Sequence, residues 1–146
     1  MIKAKKNKLG LWICSGGHAS HFHESETACK CGCDYNDVDQ ETLDKIEIIR
    51  LRINKAIIVD SWCRCPEHNK NVGGAPSSGH LFGLATDFHC NKMQLSQLWL
   101  FCESLKEKFN GLGSYPEANT PFLHGDCLDT RFMRWVYRDN KYWYLF

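Results

Sequence analysis

The sequence predicts an α+β domain in which helices pack on one side of an antiparallel sheet. Three observations carry this. Apolar residues recur at helical spacing in two segments: Leu43, Ile46, Ile49 and Ile53, then Leu95, Leu98, Trp99, Cys102, Leu105 and Phe109. Short runs at 56–62, 85–90 and 122–127 have the apolar, strand-like composition of buried strands. Near the end, two aromatic runs flank Asp139 and Asn140, as in a tight hairpin. Helices mixed with hairpin-like strands belong to the α+β class.

The elements follow in order. Residues 1 to about 37 are rich in Gly, His and Cys and predict irregular structure, with 1–19 as an N-terminal arm. Its Lys3, Lys5, Lys6 and Lys8 read as a solvated charge run. Asp39 is placed to cap a helix over about 40–54, because its carboxylate can accept from the open first-turn N–H groups. Residues 56–62 predict a buried strand. Pro66 opens a short helix, since a first-turn residue needs no N–H partner, and Gly73 and Gly74 close it. Residues 75–84 form a loop and 85–90 a second strand. The apolar stripe from 95 to 109 predicts one long helix closed by Gly111. A strand at 112–115, a turn at 117–120, a strand at 122–127 and the terminal hairpin complete the chain.

The 146 residues suit a single domain. A net charge of +1 argues against a nucleic-acid partner, which calls for a basic excess. No stretch approaches the roughly 20 apolar residues of a membrane span. The apolar run at 9–14 is shorter than the roughly 7–15 residues of a secretory core. The expectation is a monomer made in the cytoplasm without a signal peptide.

Nine cysteines are many for such a chain. Cys29, Cys31 and Cys33 form one tight group, Cys63 and Cys65 another. Neighbours at C-x-C spacing rarely bond to each other, because a disulfide needs Cα atoms about 4.4–6.8 Å apart with converging side chains. Bonds between the groups, a second metal and free thiols stay open as alternatives. Cys90, Cys102 and Cys127 read as small buried hydrophobes.

The chemistry concentrates in residues 78–87 and 124–126. Side chains two apart on a strand share a face, so Asp87 pairs with His89, and His124 with Asp126. Adjacent strands would bring these groups to one cleft, with His80 entering from the loop before. Imidazole with carboxylate favours zinc over calcium or magnesium, which prefer oxygen shells. Three such ligands leave zinc an open fourth position, the usual catalytic arrangement.

The pattern Ser78-x-His80-x-x-Gly83-x-Ala85-x-Asp87, followed by His124-x-Asp126, resembles the zinc D-Ala-D-Ala peptidases. These are bacterial and phage cell-wall enzymes whose fold is shared with the hedgehog signalling domain. The block from Asp60 to Asn69 is similar to the family's Ser-x-x-Arg-x-x-x-x-Asn segment, and Val72, Gly73, Gly74 and Ala75 then lead to the metal loop. In all, the resemblance spans roughly residues 20–135. It implies His80, Asp87 and His124 as ligands of one catalytic zinc. It implies Arg64 as the group that binds substrate or steadies charge on the attacked carbonyl, a role suited to a permanently charged, planar guanidinium. Ser78 matches a serine that touches substrate or holds the loop.

One departure matters. Several relatives carry a general-base Glu or Asp three residues before the third ligand, where this chain has Pro121. Others carry a His two residues before, where it has Phe122. Asp126 is then the candidate base, with orientation of His124 or Arg64 as its alternative role. Glu117 is a further candidate. His89 either supports a ligand or caps its strand at the surface.

The implied activity is zinc-dependent hydrolysis of peptide bonds in peptidoglycan stems or cross-bridges, as in phage endolysins, acting on the wall after release. A second, structural zinc at the Cys-rich segment remains open. Two rival readings are a non-catalytic zinc module of the same fold and a Cys/His-rich nucleic-acid binder. The near-neutral charge counts against the latter.

Overall fold

The computed structural model describes residues 1–128 and 132–145. Its first surprise is the N-terminal region. Strands β1 (Lys5–Lys6), β2 (Leu11–Ile13) and β3 (Ala19–His23) pair into a three-stranded antiparallel sheet where an irregular arm was expected. The strands are too short for a strong period-2 signal, yet β3 alternates: Ser20 and Phe22 are buried between outward-facing neighbours. Trp12 of β2 joins them in the core. The lysines are not all a free tail either. Lys6 pairs with Glu24 at 2.7 Å, and Lys3 Nζ donates to the carbonyls of Asp37 and Phe82. A single helical turn, α1 (Glu24–Thr27), follows β3, with Glu26 closing a capping box on His23.

Helix α2 (Gln40–Ile53) forms as the sequence predicts. The Asp39 carboxylate accepts from the Thr42 N–H at 2.9 Å and from its hydroxyl at 2.8 Å. Leu43, Ile46, Ile49 and Ile53 lie in the core.

The main sheet has six strands: β4 (Ile58–Ser61), β5 (Ala85–His89), β6 (Gly111–Tyr115), β7 (Phe122–Asp126), β8 (Met133–Arg138) and β9 (Lys141–Tyr144). Their spatial order is β4-β5-β7-β6-β8-β9. Between β4 and β5 lie α3 (Pro66–Asn71) and a 3-10 turn at Gly79–Phe82; α4 (Leu95–Ser104) follows β5. The sheet is mixed rather than wholly antiparallel, because β6 and β8 pair in parallel. After β7 the chain passes β6 and returns along its free edge, so β8 runs in β6's own direction. The terminal hairpin turns through Asp139 and Asn140, both left-handed at φ 56° and 58°.

Helix α4 ends at Ser104, five residues short of the expected stripe. Leu105 and Phe109 are still buried, but from irregular chain that bends at 105–107. Arg134, which is fully buried, holds the end of this segment. Its guanidinium donates to the carbonyls of Phe109 (3.0 Å) and Asn110 (3.1 Å) and pairs with Glu103. Gly111 is therefore no helix cap; it is the first residue of β6. Cys90, Cys102 and Cys127 are buried, as expected. Among the described residues no helix is long and apolar enough to cross a membrane.

Candidate metal centre

The site lies on one face of the main sheet, and the strand register builds it. Asp87 on β5 sits opposite His124 on β7; His124 sits opposite Gly113 on β6; Gly113 sits beside Trp135 on β8, and Trp135 beside Tyr144 on β9. Paired residues point the same way, so this row crosses the sheet on a single face. A second row, two residues along, carries Asp126 and Gly111. The opposite face, with Phe88, Leu112 and Leu123, is core. Glycine in these rows makes room. A Cβ at Gly111 would lie 2.3 Å from the Asp126 carboxylate, and one at Gly113 would lie 2.3 Å from the Trp135 ring.

At the β4 edge a bulge between Val59 and Ser61 brings Ser61 opposite Asp87. The Ser61 hydroxyl accepts from Arg64 Nε at 3.1 Å. Arg64 Nη1 donates to Asn69 at 3.3 Å and Nη2 to Asp87 Oδ2 at 3.1 Å. That leaves Asp87 Oδ1 for the two histidines. It lies 3.2 Å from His80 Nε2 and 2.9 Å from His124 Nδ1.

His80 comes from the 3-10 turn, whose first N–H groups are capped by Ser78; its hydroxyl accepts from the His80 N–H at 3.3 Å. The ring's Nδ1–H donates to the Trp62 carbonyl at 2.7 Å, so Nε2 is the nitrogen left to face Asp87. On the far side of His124, Nε2–H donates to Asp126 Oδ2 at 2.9 Å. Asp126 Oδ1 accepts from the Leu128 N–H at 3.2 Å.

Burial alone would raise the Asp87 pKa, but the charges and hydrogen bonds of His80 and His124 outweigh it and hold the carboxyl well below the usual range. Burial alone would lower His124; its bonds to Asp126 and Asp87 instead push it up to about 9. Asp126 is lowered, since its bond to His124 overcomes desolvation.

One donor atom each from His80, Asp87 and His124 lies within 4.8 Å of the other two. Two imidazole nitrogens with one carboxylate oxygen suit zinc. The remaining ring nitrogens are already committed to Trp62 and Asp126, the outer hydrogen bonds that orient metal-ligating histidines. The residues therefore fit the ion that their types suggest. They open on a cavity of about 540 Å³, bordered by Arg64, the small residues 73–75 and 77–79, and an aromatic wall of Tyr115, Trp135, Tyr142 and Tyr144.

Arg64, Ser78, His80, Asp87, His124 and Asp126 all reach this cavity. Two other candidates do not. His89 shares the Asp87 face but bonds Asp60 at 2.8 Å, and Glu117 accepts from the Asp139 N–H at 2.7 Å in the distant hairpin turn. Asn69 enters the sequence reading as the end of the Arg64 motif, without a role; the Trp62 carbonyl and the aromatic wall are missed. Only the wall left a signal: 135 and 137, like 142 and 144, are aromatic at period 2.

Comparison with curated proteins finds no match. A family model described as peptidase M15 matches residues 18–126, a span holding the whole His80, Asp87 and His124 cluster, and the chain belongs to that peptidase family.

Proposed function

We propose that this chain is a zinc metallopeptidase that hydrolyses peptide bonds in peptidoglycan stems or cross-bridges, of D-Ala-D-Ala carboxypeptidase or endopeptidase type, on a hedgehog/DD-peptidase-like fold. The observation that carries the metallopeptidase reading is the convergence of His80, Asp87 and His124 donors beside an open cavity. The wall substrate rests on the resemblance of the motifs around those residues, and cell-wall lysis of the endolysin kind is the matching role.

His80 Nε2, Asp87 Oδ1 and His124 Nδ1 would hold the ion. Zinc there supplies Lewis acidity, polarising a carbonyl and making water acidic enough to attack near neutral pH. Arg64 holds Asp87 Oδ2, so Oδ1 stays turned to the histidines. Three of its five N–H donors have partners among the described residues. The others are available to a substrate carboxylate or a developing oxyanion at the cavity edge. Ser78 keeps the His80 loop in shape.

Asp87 and Asp126 are the carboxylates that border the cavity among the described residues. With Asp87 used as a ligand, Asp126 is our assignment for the group that takes the proton of the attacking water. Its 2.9 Å bond from His124 Nε2 favours a second reading, in which it fixes the ring so that Nδ1 meets the metal.

The test is digestion of purified peptidoglycan, with mass spectrometry of the released muropeptides, in zinc-loaded and chelated protein. New peptide termini that need zinc and vanish in His80→Ala are expected. An unchanged wall with full zinc occupancy would sink the peptidase reading and leave a zinc module.

A further inference from the structure

A second set of metal-type donors lies outside the site just described. The loop after α1 carries Cys29, Cys31 and Cys33, and Cys65 stands at the start of α3. One sulfur from each lies within 4.8 Å of the other three. Cys29 Sγ is 3.4 Å from Cys31 Sγ, and Cys31 Sγ is 3.7 Å from Cys65 Sγ. A disulfide would bring two sulfurs to about 2.05 Å. Four sulfurs around a zinc ion, with Zn–S near 2.3 Å, stand about 3.8 Å apart along each tetrahedral edge. The two close separations lie near that edge length and far from a disulfide, and all four sulfurs stay within 4.8 Å of one another.

The backbone is arranged for thiolates as well. The Cys65 N–H donates to Cys29 Sγ at 3.4 Å, and the His68 N–H to Cys65 Sγ at 3.3 Å. The loop turns back through Gly32 at φ +85° and Asp34 at φ +70°, and the Cys29 N–H is tied to the Tyr35 carbonyl at 2.8 Å. This places Cys33 with the group although it lies beyond the turn. Cys63 is left out: it is buried in the hydrophobic core. Cys31 and Cys33 are exposed, an arrangement hard to explain by packing.

We propose that Cys29, Cys31, Cys33 and Cys65 hold a structural zinc ion, independent of the His80, Asp87 and His124 site. Its position gives it a purpose. Cys65 directly follows Arg64, the arginine on Asp87, and the Arg64 N–H donates to the His80 carbonyl at 3.0 Å. The ion joins the N-terminal segment to the end of β4 at the point where the chain turns toward the catalytic cavity. Four closed thiolate positions leave no open coordination, so this ion holds structure and does no chemistry.

The experiment is elemental analysis of the full chain, purified under reducing conditions with zinc, beside His80→Ala and the double variant Cys31→Ser with Cys33→Ser. The wild type should carry about two zinc ions, and His80→Ala about one, by the separate nature of the two ligand sets. One ion in the wild type that persists in His80→Ala supports the cysteine site and removes the catalytic one. One ion that is lost in His80→Ala overturns the cysteine site and keeps the catalytic one. Because the double variant can misfold, alkylation of the wild type gives a second reading. Cys31 and Cys33 should resist iodoacetamide despite their exposure and react fully after chelation. Reaction at the rate of a free thiol in zinc-replete protein, or a disulfide among the four on non-reducing peptide mapping, overturns the proposal.

Discussion

At the scale of single residues, His124 would set the terms on which the proposed ion binds. In the metal-free protein it sits between Asp87 and Asp126 with its pKa pushed up to about 9, so it carries a proton at neutral pH. A metal on Nδ1 must displace that proton. Zinc affinity, measured by chelator competition, should therefore rise about tenfold per pH unit and level off near pH 9, as one-proton linkage requires. A flat profile would move the metal away from His124. The same shift gives a stability prediction for the apo-protein. The raised His124 contributes stability in full below its ordinary value of 6.5, and this is lost as pH climbs through about 9. The lowered Asp87 contributes stability above the usual carboxylate range, lost as pH falls into acid. Urea midpoints of the apo-protein should decline on both sides of neutrality. Asp126→Asn separates the two readings of that residue. As the proton acceptor, its loss leaves zinc bound and cuts turnover by roughly 100-fold or more. As the support of His124, its loss lowers zinc occupancy first. The convergence of His80, Asp87 and His124 was legible in part: strand alternation grouped them with His89 and Asp126, and the family resemblance picked these three as the candidate ligands. The Trp62 carbonyl was not, since every residue has a carbonyl and only the fold chooses which one His80 meets.

At the scale of elements, α4 shows where periodicity misleads. Leu105 and Phe109 sit on the helical stripe and are buried, so the pattern reads as one helix to 109. Nothing local announces that Arg134, far along the chain, will take the Phe109 and Asn110 carbonyls. Arg134→Met should leave the Phe109 carbonyl and Glu103 without the guanidinium, while the Asn110 carbonyl keeps the Met133 N–H, and should destabilise the fold by about 3 kcal/mol, the scale of breaking a buried ion pair. Equilibrium denaturation checks it, and a loss under about 1 kcal/mol would mean that water replaces the guanidinium. The capped α2 and the Asp139 and Asn140 hairpin were legible because their signals are short-range. The parallel pairing of β6 and β8 was not, because pairing partners across a sheet leave no mark in one strand's own sequence.

At the scale of the whole molecule, the N-terminal region supports the loop that carries His80. The Tyr35 hydroxyl donates to the Leu81 carbonyl at 2.7 Å, Lys3 Nζ to the Phe82 carbonyl, and the Asp39 N–H to the Gly83 carbonyl at 3.2 Å. Three successive carbonyls after His80 are thus held by residues 3 to 39. Tyr35→Phe removes one of these bonds and nothing else, at a cost of about 1 kcal/mol. It should speed zinc release several-fold in a chelator chase, with the fold unchanged by circular dichroism. An unaltered release rate would make the contact incidental to the site.

The strand register also has a consequence for how the chain matures. Asp87 and His124 face each other across one rung between β5 and β7. A slip of a single residue in either strand would turn one of them into the core and the other away from it. His80, held from outside the sheet, would then find no pair of donors. Ion capture at the proposed centre would therefore act as a proofreader of folding: chains whose central strands zip one step out of place would remain empty, and loaded chains would be those that zipped correctly.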